Sequence, residues 1–422
     1  RVLVLGAGAS GIGAAARLWA AGIRDFTVLE AGEEVGGRMK SANLAGRRVQ
    51  LGANWIQGAN ASNWLARLVR EHGIACNATD WDSWRFYDER GPASLPPKAF
   101  PSRWYEKMPE LASTEGGDLS VEAAARLTGW RPQDKFDDAL MVGEFDYETA
   151  APPSATSFRH TYPIRTYEDF GEEECFVNDP RGWQHLLRLI ARSLGFDGRI
   201  KLGQVVRSID QDEDGVAVST QDATYRAEHA IVTFSVGVLQ AGSVRFRPAL
   251  PPWKLRAVQS YGMGAYAKVF FAFPWKFWPD DEFHQFVSPM RGYYAIWQNL
   301  NYWKQFGPGP PFILMLTVLG ASAVKIERQP ENKTVAEALE VLRTMFPGES
   351  VPAPSEVLLH RWLADPLTRG AYSYWPVGMG PRGKAELCAP VGRLWFAGEA
   401  CHARYAPFVH GALLSGNDTA EA

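Results

Sequence analysis

The chain has 422 residues, 44 Lys+Arg against 47 Asp+Glu for a net charge of −3, and 46% hydrophobic residues. This balance excludes a disordered chain, whose net charge would be high and apolar content low, and argues against a nucleic-acid binder, which carries a basic footprint. Apolar runs such as Phe312 to Leu316 are short, far from the ~18 residues of a membrane-spanning helix, so neither a membrane nor a nucleic-acid partner is expected.

The length predicts two or three domains. The four cysteines, Cys76, Cys175, Cys388 and Cys401, are too scattered for a disulfide scaffold or a CxxC metal site, and no metal is expected. Aromatic residues make up 12% of the chain, with 16 Trp, so much aromatic surface must be buried or must line something.

In chain order, Arg1 to Leu5 reads as a short apolar strand of the parallel type. Gly6-Ala7-Gly8-Ala9-Ser10-Gly11 follows, then a helix over Ile12 to Ala20, a second strand over Phe26 to Leu29, and Glu30-Ala31-Gly32. This is G-x-G-x-x-G in its strand–turn–helix context, which predicts dinucleotide binding. Gly6 permits the tight turn, Gly8 lets the backbone approach a pyrophosphate, and Gly11 lets helix and strand pack closely. Glu30 is placed to accept hydrogen bonds from ribose hydroxyls, and the helix N-terminus faces the phosphates. Gly36-Gly37-Arg38 brings a second backbone turn and a cation toward an anionic ligand, or is an ordinary βα turn with a solvated Arg. Leu51-Gly52-Ala53-Asn54-Trp55 comes next.

Residues 90–120, with Pro92, Pro96, Pro97 and Pro101, read as a loop-rich insertion. Short β segments are expected at Arg199 to Val206, Gly215 to Ser219, Thr224 to Arg226 and Ala230 to Thr233. A strand-rich stretch follows at Tyr266 to Phe273, Tyr293 to Gln298 and Phe312 to Leu319, then a helix over Val335 to Met345. Near the C-terminus, a strand at Leu394 to Phe396 leads into Gly398-Glu399, and Phe408 to Gly416 reads as a helix start aimed at a ligand.

Taken together, L-G-A-G-x-S-G, L-E-A, G-G-R-M, L-G-A-N-W, F-A-G-E and V-H-G-A-x-x-S-G resemble the flavin-containing amine oxidases, and within them the plant and fungal type of polyamine oxidase. The resemblance runs from the first strand to the last helix and takes in N-D-P-R-G-W (178–183), S-V-G-V-L-Q (235–240), F-P-x-K-F-W-P (273–279), R-G-Y-Y-x-x-W-Q (291–298) and W-P-V-G (375–378). It implies a mixed α/β fold: a Rossmann-like FAD-binding domain interleaved with a substrate-binding domain built on a mixed sheet flanked by helices. The FAD domain would take 1–75, 177–240 and 380–422, and the substrate domain 76–176 and 241–379. It implies FAD as cofactor, and oxidation of a cationic amine of the spermine and spermidine class by hydride transfer to flavin N5. Imine hydrolysis would release an aldehyde and an amine, and O2 would be reduced to H2O2. A monomer or weak dimer is expected. The alternatives are an L-amino-acid or other amine oxidase of the same fold, or a non-catalytic flavin-binding interaction module.

The resemblance carries onto particular residues. Lys268, between Tyr266 and Phe270 on one face of its strand, is either a strand-edge lysine that snorkels to water or a half-buried amine whose pKa is lowered by desolvation. The resemblance favours the second and implies that it holds a water against flavin N5. Glu148, with Tyr147 beside it, is implied to flank the amine chain. Tyr372 and Phe408 match the aromatic pair flanking the substrate, and Trp362 resembles a tunnel or flavin-side tryptophan. Gln57 departs from the pattern, which has Glu there, and offers only a neutral contact. The flavin-binding set would be Gly6, Gly8, Ser10, Gly11, Glu30, Ala31, Gly37, Arg38, Gly52, Ala53, Asn54, Trp55, Val206, Trp362, Gly398, Glu399, His410, Gly411 and Ala412. The acidic run Glu172-Glu173-Glu174 is a solvated face or a focus for a polycation.

Four N-x-Ser/Thr sequons (at Asn60, Asn77, Asn332 and Asn417) occur among ten asparagines. They point to a secreted or extracellular, apoplast-like location, with cytoplasm or peroxisome as the alternative. No signal peptide is visible at Arg1, as expected if a leader has been trimmed.

Overall fold

The computed structural model describes residues 1–94, 102–113, 116–162 and 164–422. Val2–Leu5 is the centre of a five-stranded sheet ordered Ile200–Lys201, Phe26–Leu29, Val2–Leu5, His229–Val232, Leu394–Phe396, with every neighbouring pair parallel. Leu3, Val4 and Leu5 are fully buried, as a parallel strand covered on both faces requires. One face meets the helices Ala9–Ala20 and Val409–Glu421. Those two helices touch backbone to backbone: a Cβ on Gly13 would lie 2.2 Å from the Leu413 carbonyl, and one on Gly416 would lie 1.8 Å from that of Ser10. The other face packs Leu3 and Leu5 on Ile209, Val216 and Val218 of a four-stranded sheet.

A second, seven-stranded sheet is mixed. Its order is Glu356–Leu359, Tyr266–Phe273, Phe312–Leu319, Ile296–Asn299, Phe283–Phe286, Trp84–Asp88, Gly91–Ala93, and its one parallel pair is Phe283–Phe286 with Trp84–Asp88. Val269, Phe271, Leu316 and Trp297 pack against the helices Gly320–Arg328 and Glu331–Met345. The alternate residues Tyr266, Lys268 and Phe270 therefore face the other way, toward the parallel sheet. Between the two sheets lies a small antiparallel one, in which Glu174–Val177 runs between Trp55–Gln57 and Cys76–Ala78.

Several expectations change. Ser102–Ser113 is a helix, not loop, and Pro92 sits in a strand, while Pro96, Pro97 and Pro101 lie outside the described residues. The segment Arg199 to Val206 is two strands of different sheets, Ile200–Lys201 and Val206–Gln211, separated where Gly203 takes φ +69°. The strand expected from Tyr293 begins only at Ile296, because Tyr294 turns the chain at φ +46°. The helix expected from Val335 starts at Glu331, with Pro330 preceding it. All four cysteines are paired, Cys76 with Cys175 and Cys388 with Cys401. The first bond joins residues 99 apart that strand pairing makes neighbours, which sequence spacing does not show. No helix among the described residues is long and apolar enough to cross a membrane.

Candidate active site

One cavity of about 900 Å³ runs from the first glycine turn to the mixed sheet. At its dinucleotide end the surface is main chain. Gly6 has φ +112° and packs on Thr233, where a Cβ would lie 2.5 Å from Oγ1. A Cβ on Gly11 would meet the Gly6 carbonyl at 1.8 Å, so this glycine closes helix onto turn, as expected, and does not line the cavity. Gly8 differs: a Cβ there would find nothing nearer than 3.8 Å, so the open space beside it belongs to the cavity. Glu30 is buried at the end of its strand and its two oxygens accept the Ala7 and Gly32 amides at 2.6 and 2.8 Å. Burial raises its pKa, and those bonds pull it back.

Ala31, Gly37, Gly52, Ala53, Val206, Gly398 and Ala412 also line this stretch. Arg38 lines it too, but its Nη1 is committed to Glu399 Oε1 at 2.9 Å and to the Ala371 carbonyl, so Glu399 compensates its charge. Ser10 Oγ and Asn54 Nδ2, both on the cavity wall, are buried without a hydrogen-bond partner. An orphaned donor pair beside an open glycine turn fits a polar, anionic dinucleotide.

At the other end the surface is side chain. Lys268 is not at a strand edge: Tyr266–Phe273 pairs on both sides, and its ammonium is buried, donating to the Gly52 carbonyl. Burial pushes its pKa down to about 7. The rings of Trp55 and Tyr266 each lie with their centroid 5.6 Å from Nζ. Tyr147, Tyr372, Phe408 and Trp362 complete an aromatic wall, and the Tyr372 hydroxyl donates to the Glu148 carbonyl at 3.2 Å. Glu148 and Gln57 both line the cavity.

Besides Gly11, two more of the expected flavin residues are elsewhere. His410 and Gly411 do not line the cavity, whereas Phe408, Val409 and Ala412 do. The reason is helical phase, since 410 and 411 are turned away from 408, 409 and 412. His410 packs on Phe170 and Tyr405, meets Thr166 Oγ1 at 3.1 Å, and is kept neutral by burial. Gly411 admits the Tyr405 carbonyl, 2.1 Å from where its Cβ would be.

Two residues of the wall, and one behind it, are absent from the expected set. Trp81 stacks on Trp55 at 6.2 Å. Tyr167 sits behind the wall, donating its hydroxyl to Glu174 Oε1 and lying 3.4 Å from Glu148 Oε2. Glu174 is buried and lines the cavity, unlike its exposed neighbours Glu172 and Glu173. Its strand position after two exposed acids is the one signal in the sequence, and an acidic run reads as solvated.

A glycine turn on a parallel sheet, opening into an aromatic cavity with a buried lysine and a buried acid, defines a dinucleotide-dependent enzyme acting on an amine. Residues 9–422 match the family described as flavin containing amine oxidoreductase, and the chain belongs to it. It is 37% identical over 452 residues to polyamine oxidase 6 of Oryza sativa subsp. japonica, covering 100% of this chain and 90% of that one. It is 38% identical over 457 residues to polyamine oxidase 1 of Zea mays, covering 100% and 89%. A solved putrescine oxidase bound to putrescine has the same fold at TM-score 0.77 and 19% identity, with 100% of this chain and 98% of that one covered. The cyclohexylamine oxidase of Brevibacterium oxydans IH-35A does so at 0.76 and 20%, with 100% and 97% covered. The protein is an FAD-dependent amine oxidase of mixed α/β fold.

Proposed function

We propose that the chain oxidises a linear polyamine. The observation that carries this reading is the cavity that joins the dinucleotide turn to Lys268 and reaches Glu148, a half-buried carboxylate with no ion-pair partner among the described residues. The polyamine oxidase names of the relatives support it. When bound, FAD would supply the two-electron oxidation of the C–N unit, with O2 as final acceptor reduced to H2O2. The Gly6–Gly8 turn, Ser10, Glu30 and Asn54 hold the dinucleotide. Trp55, Tyr266, Tyr372 and Phe408 exclude water and attract the amine through ring faces. Lys268, with a pKa near 7, holds or moves a proton at Nζ close to neutral pH. Glu148 receives an ammonium of the substrate.

The FAD-binding unit is proposed as 1–75, 177–240 and 380–422, a division supported by parallel strands drawn from all three. A secreted location is proposed from the four sequons and from two disulfides, which persist in oxidising compartments. The test is peroxide release with spermine, spermidine, acetylated polyamines and L-amino acids. Faster turnover of spermine or spermidine than of the others is expected, and turnover of L-amino acids alone would overturn the reading.

A further inference from the structure

The cavity holds a buried acid that the reading above does not use. Glu174 stands directly opposite Gln57 in the antiparallel pair of Trp55–Gln57 with Glu174–Val177. Directly opposed residues project from the same face, with Cβ atoms about 5 Å apart. Gln57 is neutral, so the charge of this pair rests on Glu174. One hydroxyl, that of Tyr167, donates to Glu174 and lies 3.4 Å from Glu148 Oε2, which brings the two carboxylates together on one wall.

Other enclosed acids of this chain are met by a cation or by protein hydrogen-bond donors: the fully buried Glu282 accepts the Asp80 amide and the Gln298 side-chain amide at 2.8 and 2.9 Å. Asp146, two residues before Glu148, binds Arg291 at 2.6 Å, and Asp88 binds Lys135 at 3.1 Å. Among the described residues no cationic side chain forms an ion pair with Glu148 or Glu174, and burial raises the affinity of both for protons, with repulsion added by Glu144 at Glu148 and by Glu148 at Glu174. The Tyr147 hydroxyl beside them is buried, meets only Tyr266, and forms no well-aligned hydrogen bond. Two desolvated carboxylates without a counter-ion, next to an unsatisfied hydroxyl on the same cavity, are a receptor for a cation that the chain itself does not supply.

Resting on the reading of this site as an amine cavity, we propose that Glu174 acts with Glu148 as a paired anionic subsite, bridged by Tyr167, that binds an ammonium remote from the oxidised carbon. Glu174 is thereby the residue that makes the enzyme prefer a polyamine to a monoamine.

The experiment compares kcat/KM for spermidine and for n-butylamine, by peroxide release, in wild type, Glu174→Gln and the double variant Glu174→Gln/Gln57→Glu. Replacing a charged partner by a neutral one should lower the spermidine-to-butylamine ratio by about 10-fold, mostly through the KM of spermidine. The double variant returns the carboxylate to the same face and should recover most of the ratio. A ratio unchanged by Glu174→Gln, or not recovered at all in the double variant, would overturn the assignment. A purely structural role would lower turnover of both amines together and leave the ratio where it was. If Glu174→Gln does not retain flavin, Glu174→Val is read by the same two outcomes. Should wild type oxidise neither amine, it is the amine-cavity reading that falls. If it oxidises both and the ratio never moves, only the subsite falls.

Discussion

At the dinucleotide end of the cavity, three glycines within six residues set a main-chain surface on one turn. At the amine end, Trp55, Glu148, Glu174, Lys268 and Tyr372 come from five separate stretches, brought together by strand pairing and tyrosine hydrogen bonds. A surface of backbone amides is local in sequence, because only the residues that turn the chain matter. A surface of side chains is assembled by register, and a single cross-strand pair decides whether an acid faces solvent or substrate.

The sharpest way to break that comparison is at Gly8 and Gly11. Gly8→Val should leave the fold intact, since its Cβ has room in the protein itself, yet abolish flavin retention because the space it fills is the ligand's. Gly11→Ala should instead lower stability by roughly 1–3 kcal/mol or more, since its Cβ would lie 1.8 Å from the Gly6 carbonyl. Thermal melts and the flavin absorbance of the purified variants separate the two. A yellow, fully loaded Gly8→Val protein contradicts the cradle.

Lys268→Met tests the amine end. It should slow flavin reduction or reoxidation at least ~10-fold, because a positioned proton-transfer group contributes roughly 10²–10⁴. Flavin content should hold, since the Gly6–Gly8 turn and Glu30 are untouched. Stopped-flow absorbance reads both half-reactions, and intact rates in the variant would reduce the lysine to a strand residue.

The Cys76–Cys175 disulfide ties down the strand that carries Glu174. Replacing both cysteines by serine should cost about 2–5 kcal/mol of stability, seen as a fall in Tm. The KM for spermidine should rise more than flavin retention falls. The reverse order would place the role of that bond at the dinucleotide end.

The dinucleotide turn was legible because its glycines have backbone reasons visible in the string, Gly6 for its φ, Gly8 for open space and Gly11 for contact, whereas Glu30, read only as a ribose acceptor, also closes the turn through the Ala7 and Gly32 amides. The Tyr266–Phe273 strand was legible too, but not its place in the sheet, which decides that Lys268 is buried rather than snorkelling. His410 and Gly411 were misplaced because a motif marks a helix without marking its phase. Glu174 was hidden since Glu172-Glu173-Glu174 reads as a charged run, and only its pairing with Trp55–Gln57 turns the last of the three inward.

The smallest expected effect bears on the same residue. Burial and the neighbouring Glu148 raise the pKa of Glu174 above its ordinary value of 4.5. The folded chain therefore binds a proton that the unfolded chain has released, and stability falls as pH rises from about 4.5 through the raised value. Below that window both states are protonated and the penalty is absent; above it the penalty is complete. Neutralising one acid should consequently raise the Tm of the amine-free holoenzyme at pH 8, on the order of 2 °C for a gain near 1 kcal/mol, and leave it nearly unchanged at pH 4. Glu174→Gln and Glu148→Gln should both show the gain, because either change removes the repulsion between the two, and Glu148→Gln also removes that with Glu144. Added spermidine should raise the Tm of wild type more than that of Glu174→Gln, because the ligand offsets in wild type the charge that the variant lacks. Scanning calorimetry at the two pH values decides it. A gain of equal size at both, or a loss at pH 8, would mean that Glu174 is satisfied within the fold and that the amine end needs no ligand to balance it.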